Sequence, residues 1–201
     1  MRNALLSFEN PLAEARLLRR HKRFLVEAED GAGRFMAHTN NTGSMLGLTR
    51  PGTPALFSVS PNPKRKHART LEMVALDGGP AGSGAAGWVG VNTLTPNRLL
   101  RAAVQAGVLP EARGYPGFAA EPPFAGGRLD ARLSGPDGDI LVEAKNVTLV
   151  EDGVARFPDA VTARGAKHMR ELARLARGGA RAACFFLVQR PDGDCFAPAE
   201  A

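Results

Sequence analysis

Glu143 and Lys145 stand two residues apart in the run DILVEAKNV, so on an extended strand their side chains project from one face. Ile140, Val142 and Ala144 project from the other. Asp130 lies thirteen positions ahead of Glu143, across the turn sequence GPDGD, and a hairpin folded over that turn carries its carboxylate to the same end. Two carboxylates and a lysine so placed suit phosphodiester hydrolysis. Asp130 and Glu143 supply hard oxygen ligands for Mg²⁺ or Mn²⁺, while Lys145 orients or deprotonates the attacking water and offsets charge developing at phosphorus. Glu121, just ahead of Pro122-Pro123, is a candidate third carboxylate. The expected catalytic set is thus Lys145, Glu143 and Asp130, and the expected metal set is Asp130, Glu143 and Glu121. The competing reading is a solvated strand face whose ion pair is worth under about 1 kcal/mol, because such spacings recur by chance in mixed-charge chains.

The surroundings are basic. Lys and Arg number 26 against 20 Asp and Glu, a formal net charge of +6, which favours an anionic partner. Arg19, Arg20, Lys22 and Arg23 are expected to open the first strand, and Lys64, Arg65, Lys66 and Arg69 follow the turn Pro61-Asn62-Pro63. Arg164, Lys167, Arg170, Arg174 and Arg177 recur at helical spacing. Phosphate contacts are expected from Arg19, Arg20, Lys22, Arg23, Lys64, Arg65, Lys66, Arg69, Lys167 and Arg174, through counterion release. With a single Trp and a single Tyr, no stacking platform for bases is evident, so binding of DNA should be largely independent of sequence. A phosphorylated metabolite in the basic groove is a competing occupant.

Other residues read as structural. Cys184, in AACFFLV, is expected to be a buried small hydrophobe, and Cys195 follows a turn, so neither suggests a disulfide framework or zinc site. His21, His38, His67 and His168 lack metal-ligand spacing and are assigned ordinary surface or core roles. Asn40 to Ser44 form a polar turn, and Trp88 is expected to anchor the interface between modules. The N-terminus has no signal-peptide pattern, and no window approaches the roughly 18 consecutive apolar residues of a membrane span. A soluble, cytoplasmic protein without a membrane partner is expected, and a homodimer is left open.

These residues need elements to hold them. Residues 19 to 76 alternate short apolar runs with turn formers, the rhythm of a small β-barrel. The Gly-rich stretch 77–87 has too little bulk for a core and is expected to be a loop or linker, dividing domain 1–80 from domain 88–201. Thr95 and Pro96 suggest an N-cap and N1 pair, predicting a helix over 96–106 that ends at Gly107. A hairpin with a loop of about five residues follows at GPDGD. A second helix is predicted to begin near Pro158 or Thr162 and run to Gly178, where Ala166, Met169, Leu172, Ala173 and Ala176 recur at three and four. The strand after it should lie parallel to the one before it, in a mixed sheet covered by helices.

Several long stretches carry a family resemblance: NTGSMLGL, SPNPKRKHARTLEMV, WVGVNTLTPNRLL, VEAKNVTL, FPDAVTARGAKHMRELARL and FFLVQRPDGDCFAPA. Together they closely resemble the sugar fermentation stimulation protein A family across nearly the whole chain. The resemblance implies an N-terminal OB-like barrel and a C-terminal PD-(D/E)xK restriction-endonuclease-like α/β domain, with Asp130, Glu143 and Lys145 in the nuclease-type places. It also implies sequence-tolerant DNA binding and a role in regulating sugar, particularly maltose, metabolism in bacteria. The alternative is an active Mg²⁺-dependent DNA or RNA nuclease. Family members are expected to continue some tens of residues beyond Ala201.

Overall fold

A computed structural model describes residues 4–76, 87–124, 127–160 and 162–199. The expected linker at 77–87 therefore lies outside the described residues, Gly87 excepted.

By packing, the chain forms two compact units that are not consecutive stretches. One comprises Phe8–Thr93, Val147–Ala160 and Val188–Ala201, and the other Met1–Ser7, Leu94–Asn146 and Val161–Leu187. A single cut near the Gly-rich stretch does not describe this division, because two later segments pack with the N-terminal part.

The first unit begins with β1 (Leu12–His21), β2 (Leu25–Asp30), β3 (Gly33–His38), β4 (Pro54–Val59) and β5 (Arg69–Ala75). β1 is antiparallel to both β2 and β4, β2 to β3, and β4 to β5, and a parallel bridge His38↔Thr70 joins β3 to β5 to close a five-stranded barrel. Alternate residues fill it: Ala15 and Leu17, Val26 and Ala28, Ala55 and Phe57, with Leu71 and Val74. Phe35 meets Phe57 edge-on, ring centroids 5.4 Å apart. β6 (Trp88–Gly90) extends the sheet along β5.

The expected start of the first strand is corrected. β1 starts at Leu12, so Arg19 and Arg20 end the strand, and Lys22 and Arg23 make the turn into β2, both at positive φ (46° and 65°). The inward residues Ala15 and Leu17 decide this, since they must reach the barrel core before the chain reverses.

In the second unit, α1 (Thr95–Gln105) packs Leu100 and Ala103 against the sheet. Leu94 occupies the N-cap and no side chain caps the helix, so Thr95 is its first residue and not its cap. After β7 (Gly117–Ala120) and the short pair β8 (Pro123–Phe124) and β9 (Gly127–Arg128) come β10 (Ala131–Gly135) and β11 (Gly138–Val147). The register ends at Gly135↔Gly138, so the turn holds only Pro136 and Asp137 where about five residues were expected. Gly138, at φ 101°, supplies the left-handed residue that lets so tight a turn close.

β12 (Leu149–Glu151) and β13 (Val154–Phe157) belong by packing to the barrel unit, where β13 runs parallel to β15 (Cys195–Pro198). The chain then returns to the second unit with α2 (Ala163–Arg177), which Thr162 caps by accepting from the Gly165 N–H at 3.0 Å. β14 (Arg181–Val188) lies beside β11 in a four-stranded sheet of order β14-β11-β10-β7. The fold is thus an OB barrel and a C-terminal mixed-sheet domain. No helix among the described residues is long and apolar enough to cross a membrane.

Phe57→Ala should empty the barrel centre and cost about 3–5 kcal/mol, read as a lower urea midpoint. Phe24→Ala, at the exposed β1–β2 turn, should barely move it. Equal shifts would contradict this assignment of the core.

Candidate metal centre and nucleic-acid contacts

The hairpin register explains how distant acids meet. Ala131 pairs with Val142, and one further step along an antiparallel ladder places Asp130 opposite Glu143. The Asp130 side chain turns back onto the ladder, where its Oδ2 accepts the Ala144 N–H at 2.8 Å. Its Oδ1 accepts from Asn97 Nδ2 at 2.9 Å, in the first turn of α1. Two donors on two elements thus hold one carboxylate.

Glu143 is 2% exposed. Its Oε1 accepts from Lys145 Nζ on the same strand and from His168 Nδ1 of α2, the latter at 2.7 Å. Its Oε2 is buried, and nothing among the described residues donates to it. A carboxylate oxygen withdrawn from water without a partner costs on the order of 1–3 kcal/mol or more, so such an atom calls for a cation or donor not yet counted.

The residues present therefore fit a divalent ion. Asp130, one residue before β10, and Glu143, on β11, offer hard oxygen donors, and the buried Oε2 of Glu143 has no partner among the described residues. The expected third ligand is corrected. Glu121 still donates its backbone N–H to the Asp130 carbonyl at 3.1 Å, but its side chain is exposed and its carboxylate is paired with Arg128 at 2.9 Å. No group of three or more His, Cys, Asp or Glu able to hold a metal occurs among the described residues. Among the described residues the candidate oxygen donors are thus Asp130 and Glu143 alone.

Two contributors went unread in the sequence. Asn97 sits in a helix start with no motif attached. His168 carried one usable signal: it lies four residues before Leu172, the buried anchor of α2, and so shares its inward face.

Cys184 of β14 borders the same charges. Burial chiefly pushes its thiol up to about 11, with Lys145 opposing and Glu143 and Asp130 adding to the rise. The thiol is a neutral filler at physiological pH and no nucleophile. Half-buried, it is less enclosed than expected of the AACFFLV run.

The expected phosphate contacts separate into two groups. Three of the ten are committed to the fold, and a fourth, Arg174, is engaged in a surface pair within its own helix. Arg20 donates to four carbonyls: Arg23 (2.7 and 3.2 Å), Asn41 (2.7 Å), Gly43 (2.8 Å) and Ser44 (3.2 Å). Burial, then the nearby Arg23 charge, holds its guanidinium below its ordinary value, with Asp159 opposing. Arg65 donates to Thr70 Oγ1 at 2.7 Å, and Arg69 pairs with Asp30 at 2.5 Å while lying over the Phe35 ring at 3.8 Å. Arg174 forks onto Glu171 at 2.5–3.0 Å. For Arg20, Arg65 and Arg69 the reason is shared: a guanidinium folded against the surface spends donors there.

Arg19 is exposed and lies 3.7 Å from Glu27. Lys22, Arg23, Lys64, Lys66 and Lys167 are exposed, and none has an ion pair among the described residues. The polar turn at Asn40 to Ser44 is structural: Asn41 Oδ1 accepts the Gly43 N–H at 2.9 Å, and Ser44 donates to Asp159 at 3.1 Å.

Known proteins share both parts of this architecture. A family model for the sugar fermentation stimulation protein RE domain matches residues 94–201, and one for the SfsA N-terminal OB domain matches residues 18–91. A sugar fermentation stimulation protein homolog of Syntrophobacter fumaroxidans is 58% identical over 98% of this chain and 72% of its own length. One from Citrifermentans bemidjiense is 47% identical over 98% of this chain and 82% of its own. The solved structure of Pyrococcus furiosus SfsA in complex with Ca²⁺ superposes with a TM-score of 0.86 at 27% identity, covering 96% of this chain and 79% of that one.

At pH 8, iodoacetamide should modify exposed Cys195 well before Cys184, and Cys184 labelling should rise only as pH approaches about 11. The sign for stability follows: the folded state holds the Cys184 proton more tightly than the unfolded chain, so this contribution is full below the ordinary thiol range and fades as pH climbs through about 11. Equal labelling of both thiols at pH 8 would contradict the buried placement.

Proposed function

This chain belongs to the sugar fermentation stimulation protein family, and on that premise we propose that it binds DNA through phosphates, with little regard to sequence, and holds a divalent cation at Asp130 and Glu143. The observation that carries the cation half is the buried, unpartnered Oε2 of Glu143 beside a second carboxylate. The Pyrococcus furiosus relative was solved as a complex with Ca²⁺, which supports the same reading, since Ca²⁺ and Mg²⁺ both prefer carboxylate oxygens.

For DNA, the support is the set of exposed cations at the two barrel turns, Lys22 and Arg23, Lys64 and Lys66, with Lys167 on α2. Such residues neutralise phosphates without reading bases. The stimulation of sugar fermentation named in the relatives would follow from DNA binding in a regulatory role, as the resemblance implies.

A second reading, phosphodiester hydrolysis of DNA or RNA, is favoured by Lys145. Its ammonium contacts Glu143 from the same strand face and its side chain is only 16% exposed, a placement suited to orienting a water and offsetting phosphoryl charge. A bound Mg²⁺ or Mn²⁺ would supply Lewis acidity toward a phosphate oxygen and lower the pKa of water. Asp130 would keep its orientation through Asn97 and the Ala144 amide during the attack.

Fluorescence anisotropy over a salt series tests the first reading: log affinity should fall linearly with log salt, and each of Lys22→Ala, Arg23→Ala, Lys64→Ala and Lys66→Ala should flatten the slope by about 0.9 on duplex DNA. Arg20→Met should instead lower the melting temperature. Affinity independent of salt would overturn DNA binding. For the second reading, cleavage of single-stranded, duplex and RNA substrates in Mg²⁺ or Mn²⁺ should vanish in Lys145→Ala and Asp130→Asn; cleavage that survives both would place the activity elsewhere.

A further inference from the structure

Glu143 Oε1 has two donors of different kinds, and the difference assigns them different tasks. Lys145 is a flexible chain two positions along the same strand, 16% exposed, and a bound phosphate would compete for its ammonium. His168 comes from a separate element. Its ring is planar, it is 18% exposed, and α2 is fixed at its start by the Thr162 cap and, one turn beyond His168, by buried Leu172. Only the histidine can hold the carboxylate plane while the lysine is engaged elsewhere.

We infer that His168 is a positioning residue for the cation centre: by donating from Nδ1 to Oε1 of Glu143, it keeps Oε2 presented to the divalent ion whether or not Lys145 remains on the carboxylate. This rests on the cation reading above and adds to it the residue that sets ligand orientation. Donors behind a ligating group fix its geometry, and their loss typically weakens metal binding on the order of 10- to 100-fold. Asn97 holds Asp130 in the same manner from α1, so each carboxylate is braced by one helix. The pattern is a property of tertiary packing: His168 is twenty-five positions from Glu143.

The test uses the full chain and Mn²⁺ alone, with affinity read by calorimetry and by the loss of free-ion paramagnetic resonance signal. His168→Ala should weaken Mn²⁺ binding about 10- to 100-fold. His168→Asn, whose Nδ2–H can occupy the place of the ring Nδ1–H, should recover most of that loss. Lys145→Met should bind Mn²⁺ no more weakly than the wild type, because it removes a cation that competes for Oε1. Wild-type affinity in His168→Ala, or equal weakening in His168→Ala and His168→Asn, would overturn the inference, the latter because only a structural role would be left. If His168→Ala does not fold, the His168→Asn and Lys145→Met pair still decides: Lys145→Met losing more affinity than His168→Asn would make the lysine the positioning group. Wild-type protein that binds no Mn²⁺, or Glu143→Gln that binds it as the wild type does, overturns the cation reading itself, an outcome distinct from any His168 result.

Discussion

A carboxylate held out of water must be compensated, and in the C-terminal unit Glu143 imposes that demand on everything around it. Removing one of its donors would leave a buried charge short of a partner, a penalty of several kcal/mol in comparable interiors. The β10–β11 register, the inward face of α2 and the basic residue on β11 are each arranged so that Oε1 is satisfied twice. Oε2, with no donor among the described residues, is then the one atom of the carboxylate left unsatisfied.

The barrel shows the opposite use of charge. Arg20 spends its guanidinium on four backbone carbonyls, tying the β1–β2 turn to the Asn41–Ser44 segment, and two consecutive residues at positive φ persist within that clamp. Arg69, stacked on Phe35 and paired with Asp30, does the same for β2, β3 and β5. Basic residues in this chain are therefore of two kinds, braces and exposed charges, and only the latter can release counterions from a polyanion without loosening the fold. Net charge counts both alike.

Much of the architecture was legible because it rests on local chemistry. Alternating apolar residues marked the barrel strands, Thr162 and Gly178 bounded α2, and the two-residue spacing of Glu143 and Lys145 put them on one face. Boundaries failed where a neighbour outvoted local preference. Thr95 looked like a cap and became a helical residue, and the five-residue turn at GPDGD closed on two because ladder pairing extended to Gly135 and Gly138. No local signal placed β12, β13 and β15 with the barrel unit, because they join it through long-range contacts such as Ser44 donating to Asp159 and the Gly90 N–H donating to the Gln189 carbonyl.

The chain alone determined which groups exist, their spacing, and hence that an acid pair and a lysine could share one hairpin face. Tertiary structure decided which of them are left open. It turned Glu121 toward Arg128, brought His168 and Asn97 to the two acids, and engaged Arg20, Arg65 and Arg69 in bonds to the fold. The physical reason is that hydrogen-bond satisfaction depends on burial and on partners from elsewhere in the chain, which no local window contains.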